Sequence, residues 1–206
     1  MGNAPIGGAY ARTNPPMGEP QDLDRERIIA QTRAWVDRAV IGLNLCPFAR
    51  AAQAGGRVRY EVSEARDPRR LLDDLESALA ELAAADPAEI ETTLLVAPWT
   101  LGDFLDFNDF LDPAEALLER MGLVGEIQIA SFHPRYQFVD TEPDDIGNAT
   151  NRSPWPTLHL LRESSIERAV AAGADADTIV DRNLRTLREL GPQGWARLMA
   201  AFRDAG

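Results

Sequence analysis

Ile28, Thr32, Trp35, Val36, Ala39, Val40 and Leu43 share one face at helical spacing, which predicts a helix starting near Asp24. Asn44 to Pro47 should end it, because proline lacks an N–H and disfavours helix in the residue before it. Alternation over Arg57 to Val62 puts Val58, Tyr60 and Val62 on one side and reads as a half-exposed strand. Asp67-Pro68 then offers an N-cap followed by a proline in the first turn. Leu71, Leu72, Leu75, Ala78, Leu79 and Leu82 recur behind it as the inner face of a second helix. The nearly continuous apolar run Thr92 to Ala97 predicts a central strand buried on both faces.

Thr100 and Asp103 start a third helix, restarted or kinked at Asp112-Pro113 and ended by Gly122. Strands are expected over Glu126 to Phe132 and Thr157 to Leu161. About 24 residues without periodicity separate them, a length that is usually functional or disordered. Ser164 and Glu167 read as a capping-box pair for a short helix ending at Gly173, and helices near 176–190 and 193–204 follow. Strands alternating with helices imply right-handed crossovers. The expected fold class is therefore α/β: a single domain over 22–206, with a mixed, mostly parallel four-stranded sheet packed by helices and a helical C-terminal segment. Residues 1–21, rich in Gly, Pro and Asn, are expected to be a disordered tail.

Composition narrows the partners. Net charge is −12, which argues against nucleic acid or an anionic membrane surface as a general partner. No apolar run is long enough for a transmembrane helix, and the N-terminus lacks the pattern of a secretory leader. One cysteine makes no internal disulfide, which suits a cytoplasmic protein. All 21 basic residues are arginine, so Schiff-base chemistry through lysine and a P-loop lysine are both excluded.

The only cysteine and the only two histidines sit in the chain's three most punctuated segments: NLCPFA, SFHPRYQF and NATNRSPWPTLHLLRE. Cys46, His133 and His159 are the side chains with unperturbed pKa values near neutrality, and so the candidates for nucleophile, acid or base. Cys46 falls at the end of the first helix, where the negative end of the helix dipole should raise a thiol pKa. His133 stands where a strand opens into a loop, a usual place for sites in α/β sheets. His159 shares a strand face with Thr157 and Leu161. In the long loop Arg152, Ser153, Asn148 and Asn151 form a donor set suited to carboxylate or phosphate, with Arg135 in support. Each group also has a structural alternative: a buried small hydrophobe, a loop-holding or core histidine, a polar loop capping its own turns.

The motifs GLNLCPFA, FHPRYQF and NATNRSPWPTLHLLRE, within a span of about residues 22 to 190, resemble the uncharacterised family catalogued as domain of unknown function 1415. The resemblance implies a common fold and site and brings no activity. The expectation is an enzyme acting on a small anionic metabolite at a site built from Cys46, His133, Arg152 and His159. A zinc or iron centre with Cys46, His133 and His159 as ligands is one alternative, and the spacing leaves the metal unassigned. A non-catalytic binding module is the other, with Phe104, Phe107 and Phe110 as its aromatic surface.

Overall fold

A computed structural model of the chain describes residues 24–171 and 176–204. The expected N-terminal tail and the helix end at Gly173 lie outside those residues. Six α-helices and four strands follow in the order α1 (Arg25–Trp35), α2 (Ala49–Ala54), β1 (Val58–Val62), α3 (Pro68–Ala84), β2 (Thr92–Val96), α4 (Phe104–Arg120), β3 (Ile127–Phe132), β4 (Thr157–Arg162), α5 (Glu163–Ala171) and α6 (Ala176–Arg203). A π-helical stretch, Val36–Ile41, continues α1, and a 3-10 helix, Ile146–Asn151, precedes β4.

The four strands form one sheet in the order β1-β2-β4-β3. β1 and β2 are parallel, while β4 runs antiparallel to both β2 and β3. The expectation of a mostly parallel sheet is thus corrected. β1, β2 and β3 do point the same way, as strands joined through α3 and α4 should. β4 returns from the long loop in the opposite sense and inserts between β2 and β3, so two of the three pairings are antiparallel.

Strand parity sorts the side chains into two layers. Leu95, Leu158, Leu160 and Ile127 meet Leu71, Leu75, Leu79 and Leu82 of α3 and Phe104, Phe107 and Leu117 of α4. Fully burying each such side chain stabilises the fold by about 1.5–3 kcal/mol. On the other face Leu94 and Phe132 pack with Trp35 and Val36, and with Leu187, Trp195 and Phe202 of α6.

Aspartate caps set three of the helix starts. Asp24, Asp67 and Asp103 accept backbone N–H bonds at the starts of α1, α3 and α4. α4 therefore starts after Asp103 and not at Thr100, and it runs unbroken through Pro113. α5 begins directly after β4, so Ser164 is inside the helix and is no cap. The two expected C-terminal helices form α6, broken at Gly191, whose φ of 68° and following Pro192 interrupt the helical backbone.

Candidate functional site

Cys46 is placed by an irregular turn. The π-helical stretch ends in carbonyl bonds from Val40 to the N–H groups of Leu45 (2.8 Å) and Cys46 (3.4 Å). Asn44 adopts a left-handed conformation (φ 54°), which asparagine tolerates better than most residues. α6 clamps this turn: Arg182 Nη2 donates to Asn44 O at 2.7 Å, and Asn183 Nδ2 donates to Leu45 O at 2.8 Å. Pro47 then leads into the turn before α2, and the backbone N–H groups of Phe48 and Ala49 approach the Cys46 sulfur. The sulfur thus faces the start of a second helix and not only the end of the first. Burial still pushes the thiol pKa up, against those two N–H groups and the Arg182 guanidinium.

Cys46 and His159 line one apolar cavity of about 100 Å³. Trp35, Val36, Val40, Leu94 and Phe132 supply much of its wall, and Glu91, Arg162 and Ser165 also line it. Phe132 stands edge-on to Trp35, with ring centroids 5.2 Å apart, and its ring lies 6.1 Å from that of His159. Arg162 is committed to the end of α3, donating to the carbonyls of Leu82 and Ala85 at 2.6 and 2.7 Å.

His159 has a determined tautomer. Thr92 Oγ1 donates its one proton to Leu160 O at 2.6 Å, because a carbonyl can only accept. Its 2.7 Å contact with His159 Nε2 must therefore be a bond donated by Nε2–H. Nδ1 is left as a lone pair, with no hydrogen-bond partner among the described residues. Burial lowers the His159 pKa to about 4, so the ring is neutral at pH 7.

His133 lies elsewhere. It is 1% exposed and packs between Phe104 and Phe107, with ring centroids 5.4 and 5.1 Å away. Nδ1 accepts the Arg135 N–H at 3.0 Å, so Nε2 carries the proton and donates to Leu101 O at 3.1 Å. That bond helps hold Leu101 in a left-handed conformation (φ 55°), which is costly for leucine. Burial first, with the Arg135 charge adding, lowers the His133 pKa to about 4. Both ring nitrogens serve the fold, and His133 lines neither the Cys46 cavity nor the opening beside Arg152.

The three residues expected as metal ligands are not brought together either. Ala130 pairs with His159 in the β3–β4 register, so the alternate positions leading to His133 face the opposite layer. Among the described residues no group of three or more His, Cys, Asp or Glu side chains is placed to hold a metal.

The expected anion-binding set divides as well. Asn148 is fully buried, accepting from Phe138 N (3.0 Å) and Thr141 Oγ1 (2.9 Å) and donating to Glu142 O (2.9 Å). Asn151 donates to Ser131 O at 3.1 Å, and its carbonyl accepts the His133 N–H at 3.1 Å. Ser153, also fully buried, donates to Trp155 O at 2.6 Å. These three hold the loop and offer a ligand little. Arg135 and Arg152 line a different opening from that of Cys46. Phe104, Phe107 and Phe110 are core residues and present no binding surface.

A family model described as a protein of unknown function (DUF1415) matches residues 27–197, most of the chain. The chain belongs to that family. No curated protein and no solved structure matches it. The match takes in Cys46, Thr92, His133, Arg152 and His159, so both cavities lie within the part that defines the family.

Sequence reasoning passed over Thr92, Gln137 and α2. Parity alone places Thr92 on the Leu94 face of β2, yet its partner was hidden, because the antiparallel insertion of β4 is a tertiary fact. Among the described residues, no helix is long and apolar enough to cross a membrane.

Proposed function

We propose that the protein is a small-molecule enzyme in which Cys46 is the nucleophile and His159 the base. One observation carries this reading: a thiol and a neutral imidazole with a free Nδ1 lone pair, drawn from distant segments, line the same apolar cavity. A largely apolar pocket with a few converging polar groups is the usual form of a ligand site.

Cavity size limits the substrate. A cavity of about 150 Å³ admits benzene, and this one is about 100 Å³. It suits a short apolar arm such as a small acyl group, with the rest of the molecule extending past Glu91 and Ser165. His159 Nδ1 would take the thiol proton as sulfur attacks the acyl carbon, and would return it to the departing group. A free thiol that must stay reduced suits a reducing compartment such as the cytoplasm.

Intact-mass measurement tests the reading with short-chain acyl thioesters as probes. The expected result is one acyl adduct on the wild type, none on Cys46→Ser and slower adduct formation on His159→Gln. Equal rates with and without His159 would remove it from the mechanism.

A second reading has one observation in its favour. Burial outweighs the groups that favour the thiolate at Cys46, as expected of a pocket that binds an apolar group without reacting with it. Reversible ligand protection of Cys46 without any adduct would select that reading.

A further inference from the structure

Guanidinium groups from two helices bond the carbonyls of the segment that leads to Cys46. Arg50 Nη2 of α2 donates to Ile41 O at 3.4 Å, and Arg182 Nη2 of α6 donates to Asn44 O at 2.7 Å. Neither arginine makes an ion pair among the described residues. Arg182 has donors to spare. Its Nη1 makes no bond among the described residues, and its Nε is buried without a hydrogen-bond partner. A buried donor in that state is one that an incoming acceptor would satisfy. In a chain of net charge −12, unneutralised cations beside the single thiol are a local exception.

The charge of Arg182 is felt at the sulfur itself, where it favours the thiolate. Glu91, a carboxylate that lines the Cys46 cavity, is already paired with Arg57 at 2.7 Å and Arg168 at 3.4 Å. Neither Arg50 nor Arg182 lines that cavity. The apolar arm of a substrate and an anionic group therefore have separate places around Cys46. A cation that acts on the sulfur also acts on the atom leaving the carbon that the sulfur attacks, because both atoms are bonded to that carbon. A charge at the far end of a long leaving group would instead be screened by solvent.

We propose that the substrate of the Cys46 site is a small acyl phosphate, with its acyl arm in the apolar cavity and its phosphate on Arg182 and Arg50. The inference rests on Cys46 being the nucleophile. Sulfur attacks the acyl carbon, the S–C bond forms, and the C–O bond to phosphate breaks. The thiol proton passes through His159 Nδ1 to the departing phosphate, leaving S-acyl Cys46 and inorganic phosphate. Nothing is oxidised or reduced. A guanidinium aimed in advance by a carbonyl loses little freedom when it meets a phosphate. Arg182 takes the larger share, since Arg50 is exposed to solvent.

Intact-mass kinetics on the full chain test it, with acetyl phosphate and the neutral thioester S-acetyl-N-acetylcysteamine as probes at fixed ionic strength. The chain has no lysine side chain to acylate in the background. Each rate on Cys46 is divided by the rate of the same probe on free N-acetylcysteine. On that scale the wild type should favour acetyl phosphate by about tenfold or more. Arg182→Gln should remove most of that preference, whereas its effect on the thiolate slows both probes alike. Arg50→Gln, at an exposed position, should lower the preference by about twofold or more and serves if Arg182→Gln fails to fold. Acylation by the thioester with no preference for acetyl phosphate overturns the inference and leaves Cys46 as a nucleophile. A preference undiminished in the folded variants overturns it as well. No adduct from either probe sinks it together with the nucleophile reading.

Discussion

His159 donates its Nε2 proton to Thr92 Oγ1 across 2.7 Å, from β4 to the neighbouring β2. Thr92 passes its own proton to Leu160 O, so one hydroxyl fixes both the orientation and the tautomer of the imidazole. The same pair anchors the sheet and leaves the Nδ1 lone pair without a hydrogen bond among the described residues.

Thr92→Val keeps the shape of that side chain and removes the relay. His159 Nε2–H and Leu160 O then lose their partner, at about 1–3 kcal/mol. Urea unfolding should show that loss. Ring ¹⁵N shifts should show the single Nε2–H tautomer of the wild type giving way to a mixture.

His133→Ala should destabilise by about 2–4 kcal/mol, because it orphans Leu101 O and the Arg135 N–H and opens a gap between Phe104 and Phe107. The folded fraction of the variant should still react at Cys46 at the wild-type rate. A loss of reactivity with the fold intact would restore His133 to the site.

Stability should fall as pH drops from about 6.5 toward 4. Both histidines have folded pKa values lowered to about 4, below their ordinary 6.5. The unfolded chain therefore binds protons first, and stability is full above that window. His133 alone accounts for about 3 kcal/mol across it. Unfolding midpoints measured through this range should flatten in His133→Gln, and an unchanged slope would contradict the assignment.

Much of the fold was legible because periodicity, caps and breakers agree over long stretches: Asp67-Pro68, the Leu71 to Leu82 face and Gly191-Pro192 each mark what the structure contains. The sheet's sense was not legible, since the return of β4 after an aperiodic loop has no local signal. The site was half legible. Cys46 and His159 do share a cavity, but His133 was separated from them by a register that only the folded sheet sets, Ala130 opposite His159. Asn148, Asn151 and Ser153 look like ligand donors in sequence for the same reason that they hold the loop: short polar side chains satisfy backbone groups nearby.

Arg182→Gln should slow alkylation of Cys46 at neutral pH. The guanidinium favours the thiolate, so its removal raises the thiol pKa further from an already raised value. Competitive labelling against a free thiol gives the ratio, and a faster rate would show that burial by Arg182 outweighs its charge.

The pH profile of Cys46 alkylation by chloroacetamide, in the wild type and in His159→Gln, tests the central claim that these two residues act together. If His159, a base of pKa about 4 lining the same cavity, takes the thiol proton, the wild-type rate should hold a plateau from about pH 5 to 8. His159→Gln should instead lose about tenfold for each pH unit below the thiol pKa, as a lone thiolate does. Superimposable profiles for the two proteins would contradict the account.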